Sequence, residues 1–224
     1  MYKGVSETDH LRRTIGSRGR FGWPYCPPDE GDLLYSLARE VPEHDALEVG
    51  FATGSTAVYI LSGLSSGRLV SIDFAQDDFE RDGVALVRDL GFNVRHELIE
   101  EDSIKALPRI YESGRRFNLI FLDGWKSFDR IWVDTFYCSR MLNVGGYIVF
   151  DDARMQAVLK CISILRLYYE FAFVDTYQRV GGWRQLILHL LSTRSLRRPY
   201  VALKKLREIS ETEAGQYYSF WKNF

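Results

Sequence analysis

The chain has 224 residues, of which 46% are hydrophobic, and a formal net charge of -1, a composition that suits one large domain with a sizeable core. Near-neutral charge argues against nucleic acid or an acidic membrane as partner, and the longest late apolar stretch, residues 186–192, is far shorter than the roughly 20 residues that span a bilayer. The three cysteines form no CxxC pair and the first residues lack the apolar segment of a signal peptide, so we expect a cytoplasmic protein without a disulfide framework.

Segments with helical and strand periodicity alternate along the chain. Residues 1–27 are polar, basic and rich in aromatic side chains, and we expect a solvated N-terminal arm or lid there. Helical spacing of apolar residues then predicts helices over about 28–41, 53–64, 77–90, 103–111, 128–136 and 153–165. Apolar runs between them predict strands at 46–50, 69–73, 93–98, 118–123 and 146–151.

The predicted strands are apolar along most of their length, which is typical of parallel strands covered on both faces. Alternation with helices therefore favours a doubly wound α/β domain over residues 28–190. FAFVDTY at 171–177 and WRQLILHL at 183–190 follow each other around Gly181-Gly182, a pattern that predicts an antiparallel hairpin at the sheet edge. Residues 191–224 are expected to form a C-terminal extension with one helix and an aromatic end.

Acidic residues stand at or near the ends of four predicted strands, namely Glu48, Asp73, Asp123 and Asp151. An acid at a strand end is often a helix cap or a turn residue. In a doubly wound sheet, however, ligands bind beyond the carboxyl ends of the strands. Because these acids end sequential strands, we expect them to share one crevice.

The first of these strands leads into a glycine-containing turn. Glu48, Gly50 and Gly54 form an ExGxxxG pattern, whereas Ala52 occupies the second glycine position of the dinucleotide fingerprint GxGxxG. Glycine permits a tight turn and close approach of a ligand. Asp73 follows Gly50 by roughly 20 residues, a spacing at which an acid can bind ribose hydroxyls. The pair predicts a ligand that contains adenosine.

Four stretches taken in order resemble the class I S-adenosylmethionine-dependent methyltransferases: ALEVGFATGSTAVYIL, LVSID, NLIFLDGWKSFD and NVGGYIVFDD. The chain is most similar to the O-methyltransferases of the catechol, caffeoyl-CoA and macrocin types, over roughly Pro28 to Leu190. The resemblance implies a three-layer α/β/α fold with a seven-stranded, mostly parallel sheet. It also implies an enzyme that transfers a methyl group from S-adenosylmethionine to a small-molecule hydroxyl.

The resemblance also implies a cofactor site. Glu48 and the turn from Gly50 to Gly54 and Ser55 would hold the methionine part, and Asp73 would accept the ribose hydroxyls. Asp102 and Ser103 would flank the adenine. Phe51 and Phe74 would pack on the cofactor or, alternatively, in the core.

In the catechol-type enzymes, acids after the fourth and fifth strands bind magnesium, and these positions match Asp123, Asp151 and Asp152. Asp152 replaces an asparagine of that pattern, and its alternative role is to cap a helix that begins near residue 153. Lys126 matches the general base of the family, and its alternative is a surface lysine paired with Asp129. Asp123 joins the predicted catalytic and cofactor contacts.

No histidine matches the position of Lys126, so histidine catalysis is not expected, and His44 and His96 are expected to be surface or loop residues. Trp23, Tyr25 and Trp125 would cap the acceptor or pack in the core. Two further functions stay open besides magnesium-assisted O-methylation: metal-independent N- or O-methylation, and nicotinamide-dependent oxidation. A cofactor-binding module without catalysis is a third, and a homodimer is expected to be possible.

Overall fold

The computed structural model describes residues 4–17, 26–41, 43–174 and 199–209, and it describes the side chains of these residues from residue 8 onward. The α-helices are α1 Gly4–Ser17, α2 Pro28–Glu40, α3 Ser55–Gly63, α4 Asp82–Asp89, α5 Ser103–Glu112, α6 Phe128–Met141 and α7 Gln156–Tyr168. The strands are β1 Ala46–Val49, β2 Leu69–Ile72, β3 His96–Ile99, β4 Phe117–Leu122, β5 Leu142–Phe150, β6 Phe171–Phe173 and β7 Val201–Lys205.

The seven strands form one sheet in the order β3-β2-β1-β4-β5-β7-β6. The first five strands of that order are parallel to their neighbours, and β7 is antiparallel to both β5 and β6. This confirms the predicted mostly parallel, seven-stranded sheet with an antiparallel edge. The order reverses between β1 and β4, which is where an open α/β sheet leaves a crevice for ligands.

Two hydrophobic cores cover the two faces of the sheet, because successive residues of a strand point to opposite faces. Ala46 of β1 and Phe121 of β4 pack with α1, α2, α3 and α4. Leu47 of β1 and Leu122 of β4 pack with α5, α6 and α7 on the other face. The predicted three-layer α/β/α architecture is therefore confirmed.

The C-terminal edge of the sheet differs from the prediction. Strand β7 lies within residues 191–224, for which one helix was predicted, so that helix is wrong over residues 201–205. The two lysines of VALKK make this segment too polar to be predicted as a buried strand. Lys205 is nevertheless fully buried and donates hydrogen bonds to the carbonyl of Leu142 (2.6 Å) and to Glu208 (2.7 Å). The predicted strand at 183–190 and the aromatic tail lie outside the described residues.

The predicted helix over 77–90 is divided in two. A short 3-10 helix, Gln76–Phe79, precedes α4. Between them Glu80 and Arg81 adopt positive φ angles of 49° and 57°, a left-handed conformation that interrupts an α-helix. Apolar periodicity alone gave no sign of this break.

The N-terminal segment is not simply a solvated arm. Helix α1 packs against α2, with Leu11 and Ile15 buried in the core. Arg12 pairs with Asp32 of α2, whose carboxylate also accepts a 2.7 Å hydrogen bond from Thr8. Trp23 and Tyr25, the predicted aromatic cap, lie outside the described residues. Among the helices that the structure describes, none is long and apolar enough to cross a membrane.

Candidate active site

Four parallel strands end side by side at the crevice. Backbone hydrogen bonds continue the sheet by one residue beyond each strand: Gly50 donates to Ile72 (2.9 Å), Asp123 donates to Val49 (2.8 Å), and Asp151 donates to Leu122 (3.1 Å). Asp73 is held in the same way by Ile99 (3.1 Å). The structure thus brings the residues after β1, β2, β4 and β5 to one edge, as the sequence predicted.

The turn after β1 depends on glycine at two positions. Gly50 has a φ of 94°, and a Cβ atom there would clash with the carbonyl oxygen of Asp123. Gly54 has a φ of 72°, and its Cβ atom would lie 2.9 Å from the Cα atom of Gly83. Glycine therefore lets the turn pack against the β4 loop and α4, so close backbone packing explains both glycines without a ligand.

Asp73 fixes the conformation of that turn. Its Oδ2 atom accepts hydrogen bonds from the backbone N–H groups of Phe51 (2.8 Å) and Ala52 (2.7 Å), and its Oδ1 atom accepts one from Ala75 (2.7 Å). A carboxylate offers about four acceptor positions, so most of the hydrogen-bonding capacity of Asp73 is used within the protein. Its predicted contact with ribose hydroxyls stays a prediction.

Glu48 lies beneath the turn and is fully buried. Its carboxyl group accepts hydrogen bonds from Thr56 and from Ser71 (2.7 Å). Burial raises the pKa of Glu48 to about 8, although the two hydroxyl groups oppose that shift. The predicted contact of Glu48 with the cofactor stays a prediction, and its observed role is to join β1, β2 and α3.

His96 extends this buried network and corrects a prediction. It lies in β3 instead of in a loop, its Nε2 atom is 2.9 Å from the Ser71 hydroxyl, and its ring stacks on Phe51 with centroids 4.9 Å apart. Burial lowers the pKa of His96 to about 4. Phe51 is 2% exposed and packs in the core, whereas Phe74, the other aromatic predicted near the cofactor, is 61% exposed.

The β4–β5 side of the crevice gathers the predicted metal ligands. Asp123, Asp151 and Asp152 each offer a carboxylate oxygen, and these oxygens lie within 4.8 Å of one another. Asp152 has a φ of 51°, and α7 begins at Gln156 with Met155 as its N-cap. Asp152 therefore does not cap this helix, which contradicts its alternative role.

Lys126 reaches into this cluster. Its Nζ atom lies 2.7 Å from Asp123 Oδ1, 3.0 Å from the carbonyl oxygen of Gly124 and 3.6 Å from Asp152 Oδ2. The side chain is 10% exposed, so the alternative of a surface lysine is wrong. Its neighbour Trp125 is 64% exposed and does not pack in the core.

The charges of the cluster are not balanced. Burial, together with the nearby Asp151 carboxylate, raises the pKa of Asp123 to about 7, although Lys126 opposes the shift. Burial alone would lower the pKa of Lys126, but the carboxylates of Asp123, Asp151 and Asp152 raise it. Lys126 is therefore held as an ammonium group among carboxylates that repel one another.

Glu30 is an acidic neighbour of this cluster that the sequence analysis missed. It lies in the first turn of α2 and is 2% exposed. Burial and the carboxyl groups of Asp151 and Asp123 raise its pKa well above the usual value. Burial raises the pKa of the Cys26 thiol, and the carboxyl groups of Glu30, Asp123 and Asp151 add to that shift. The sequence offered one sign of Glu30, namely an acid close to the leucines that α2 buries.

The predicted adenine contacts lie at the start of α5. Asp102 caps this helix by accepting a hydrogen bond from Ile104 N (3.1 Å), and Arg130 Nη1 lies 2.9 Å and 2.8 Å from its two carboxylate oxygens. Ser103 is the first residue of α5. Asp134 of α6, also missed, is buried beside Ser103, and burial raises its pKa to about 6 although the Ser103 hydroxyl opposes the shift.

Comparison with known proteins gives one family match. The family model described as a methyltransferase domain matches residues 47–153. This range extends from the second residue of β1 to the loop after β5 and holds every predicted cofactor, metal and catalytic residue.

Two curated proteins are similar in sequence. An Arabidopsis thaliana protein provisionally assigned as a caffeoyl-CoA O-methyltransferase is 25% identical over 142 residues, which is 63% of this chain and 60% of that protein. Tricin synthase 2 of Oryza sativa subsp. japonica is 25% identical over 152 residues, which is 65% of this chain and 51% of that protein. The chain thus spans between half and two thirds of the length of these relatives.

Solved structures share the fold at low sequence identity. An O-methyltransferase from Bacillus cereus in complex with S-adenosylhomocysteine has a TM-score of 0.65 at 15% identity, with 90% of this chain and 91% of that chain covered. An O-methyltransferase of tomaymycin synthesis from Streptomyces achromogenes, in complex with S-adenosylmethionine, has a TM-score of 0.56 at 18% identity, with 92% and 90% covered.

Proposed function

We propose that the chain transfers the methyl group of S-adenosylmethionine to a hydroxyl group of a small-molecule acceptor, because a methyltransferase-domain family matches residues 47–153 and the seven-stranded sheet leaves a crevice at the carboxyl ends of its parallel strands. The observation that carries this proposal is the group of Asp123, Lys126, Asp151 and Asp152 beside the glycine turn. Such a group can orient and deprotonate a hydroxyl next to a bound cofactor. Three of the similar proteins described above are named O-methyltransferases, which supports oxygen as the acceptor atom.

The proposed cofactor site is the turn from Gly50 to Ser55 with the residues after β2 and β3. Asp73 fixes the backbone of this turn before any ligand binds, so the protein need not order it on binding. We propose that the methionine part lies on the turn, next to Glu48, and that the ribose lies near Asp73. Asp102, Ser103 and the exposed ring of Phe74 would line the adenine end.

Methyl transfer is an in-line displacement at a sulfonium, so the methyl group is already activated. The protein must align the acceptor oxygen with the methyl carbon and remove the hydroxyl proton. We propose Lys126 as the base, positioned by Asp123 and the Gly124 carbonyl. Its ammonium form offsets part of the negative charge of the carboxylates. Lys126 must therefore first release its own proton to solvent, once another positive charge takes its place, and the neutral amine can then accept the hydroxyl proton.

The carboxylates fit a hard divalent cation such as Mg²⁺, which prefers oxygen ligands. Asp123, Asp151 and Asp152 would hold the ion, which would offset both the cost of burying the Asp123 carboxylate and its repulsion by Asp151, the causes that raise the pKa of Asp123. A bound cation would lower the pKa of a coordinated hydroxyl group. The base and the carboxylates would then act on the same acceptor atom.

Metal-independent methyl transfer is the second candidate, and one observation favours it. Lys126 already pairs with Asp123 at 2.7 Å and lies 3.6 Å from Asp152, so the protein supplies part of the balancing charge itself. Activity that persists in EDTA would support this candidate over the cation-assisted reaction.

A cytoplasmic location, a homodimer and the predicted limits of the domain at residues 28 and 190 stay predictions from the sequence.

The first test is calorimetric titration of the full chain with S-adenosylhomocysteine, with NAD as the control ligand. We expect micromolar binding of S-adenosylhomocysteine and no binding of NAD. Hydroxylated acceptors are then screened with S-adenosylmethionine labelled in the methyl group, in Mg²⁺ and in EDTA. Failure to bind S-adenosylhomocysteine, or tighter binding of NAD, would overturn the proposed function.

A further inference from the structure

Glu30 brings a fourth carboxyl group to the crevice from a different layer of the fold. Pro28 occupies the first turn of α2, and the helix directs Glu30 inward, where it is 2% exposed. Its carboxyl group lies against that of Asp151 and close enough to Asp123 for the charges to interact. Helix α2 therefore forms a wall of the acidic cluster.

The Oε1 atom of Glu30 is buried and has no hydrogen-bond partner among the residues that the structure describes. Burying a polar group without a partner is unfavourable, and burying an acidic group beside two other acids is more so. Asp73 and Glu48, at the same edge of the sheet, have their oxygens occupied by N–H and hydroxyl donors. Among the described residues, the Oε1 atom of Glu30 therefore lacks the kind of donor that the oxygens of Asp73 and Glu48 have.

We propose that Glu30 is a ligand of a divalent cation that Asp123, Asp151 and Asp152 also hold, so that α2 completes the cation site. The inference rests on the cation site of the proposed function. Oxygens of the three aspartates lie within 4.8 Å of one another, and Glu30 adds a fourth carboxyl group beside Asp151. Lys126 supplies one ammonium group, so a dication bound by oxygen ligands would offset most of the negative charge that remains when these carboxyl groups are ionised. The Oε1 atom of Glu30 has no described hydrogen bond to give up, and binding of the cation would displace the proton that the crowded carboxyl group retains.

The test is a titration of the full chain with Mn²⁺ in the absence of methyl donor. Electron paramagnetic resonance measures the concentration of the free ion at each step. We expect the Glu30→Met variant, which keeps the length of the side chain but has no oxygen, to bind Mn²⁺ about tenfold more weakly or worse. The Glu30→Gln variant keeps an amide oxygen and should fall between this variant and the wild-type protein.

Asp29→Asn is the matched control. Asp29 contributes negative charge near Glu30, and its carboxylate accepts a 2.8 Å hydrogen bond from Tyr200 that an asparagine oxygen can retain. The control removes charge without removing a proposed ligand, so its affinity for Mn²⁺ should stay within about threefold of wild type, as expected for a more distant charge.

Thermal unfolding separates ligation from a folding role. Without metal, the Glu30→Met and Glu30→Gln variants should be at least as stable as the wild-type protein, because a crowded buried acid is removed. With saturating Mn²⁺, the wild-type protein should gain more stability than either variant.

Wild-type affinity in the Glu30→Met variant would overturn the proposal and leave the three-aspartate site intact. Absence of Mn²⁺ binding in the wild-type protein would overturn both cation proposals, whereas the methyl-transfer assay in EDTA decides the proposed reaction independently.

Discussion

The two halves of the carboxyl edge carry similar acids in different surroundings. On the β1–β2 side, Asp73 accepts three backbone hydrogen bonds and Glu48 accepts two from hydroxyl groups. On the β4–β5 side, Asp123 and Asp151 share one lysine, and Glu30 has an oxygen without a described partner. The donors around each acid, and not its place at a strand end, distinguish acids that build the crevice from acids available for chemistry.

Replacement of Asp73 should have the largest effect. The Asp73→Ala variant removes the acceptor of three N–H groups, each of which makes a charge-assisted hydrogen bond. We expect the free energy of unfolding to fall by about 3 kcal/mol and binding of S-adenosylhomocysteine to be lost, because the turn is no longer fixed. Urea unfolding and calorimetric titration measure the two effects.

The control for this change is Asp78→Ala, which removes an exposed acid from the neighbouring 3-10 helix. Its stability and affinity should match those of the wild-type protein. If Asp73→Ala bound S-adenosylhomocysteine normally, Asp73 would be neither a support of the binding turn nor a cofactor ligand, and the comparison between the two halves of the edge would be wrong.

Replacement of Lys126 tests the other half of the comparison. We expect the Lys126→Met variant to lower kcat by about a hundredfold, a typical effect of losing a general base. Its affinity for S-adenosylhomocysteine should change by less than about threefold, because the turn and Asp73 do not contact Lys126. Steady-state kinetics and calorimetry check these outcomes.

Lys160→Met serves as the control, since Lys160 is an exposed residue of α7 near the ring of Phe128 and should leave both values unchanged. A Lys126→Met variant with wild-type turnover would refute the assignment of the base. A variant that lost cofactor binding would instead place Lys126 among the residues that hold the cofactor.

Much of the fold could be predicted from the sequence because its central strands are buried on both faces. The runs at 46–50, 69–73 and 118–123 coincide with β1, β2 and β4 to within a residue or so, and each leads to its acid without a gap. Backbone pairing then places the acids close together, because the carboxyl ends of parallel strands lie at one edge of the sheet. These local patterns predicted that Asp123 and Asp151 share a crevice, whereas the metal group with Asp152 was predicted from the resemblance to the catechol-type enzymes.

The errors concern residues whose roles depend on distant parts of the chain. Glu30 lies beside Asp151 although the two residues are far apart in the sequence, and the ring of His96 is held by Ser71 and Phe51 on neighbouring elements. Lys205 lies where a helix was predicted, and its buried position depends on the distant Leu142 carbonyl that accepts its hydrogen bond. No periodicity within one segment carries such information.

The third and smallest expected effect concerns the pH dependence of stability through Glu48. The pKa of Glu48 is raised to about 8 by burial, with the charges of Asp123 and Asp73 adding to the shift, whereas an unfolded glutamate has a pKa of roughly 4.3. Between these values the folded protein keeps a proton that the unfolded chain has lost, so this contribution to stability falls as the pH rises. Above pH of about 6.5, the neutral His96 no longer adds an opposite trend, because an unfolded histidine is then also neutral.

We therefore expect the stability of the wild-type protein, relative to that of the Glu48→Gln variant, to fall by about 1.5 kcal/mol between roughly pH 6.5 and 8. Urea unfolding at several pH values measures this difference, and the comparison cancels contributions from Asp123 and Glu30 that both proteins share. The His96→Asn variant is the control: its own stability, measured directly and not as a difference, should begin to decline below about pH 6, because the opposing trend of His96 is removed. A difference that stays constant across the range would mean that Glu48 is ionised in the folded protein. The β1–β2 half would then hold a buried carboxylate that the hydroxyl groups of Thr56 and Ser71 stabilise. Both halves of the edge would then contain buried negative charge, and only the donors around the acids would distinguish them.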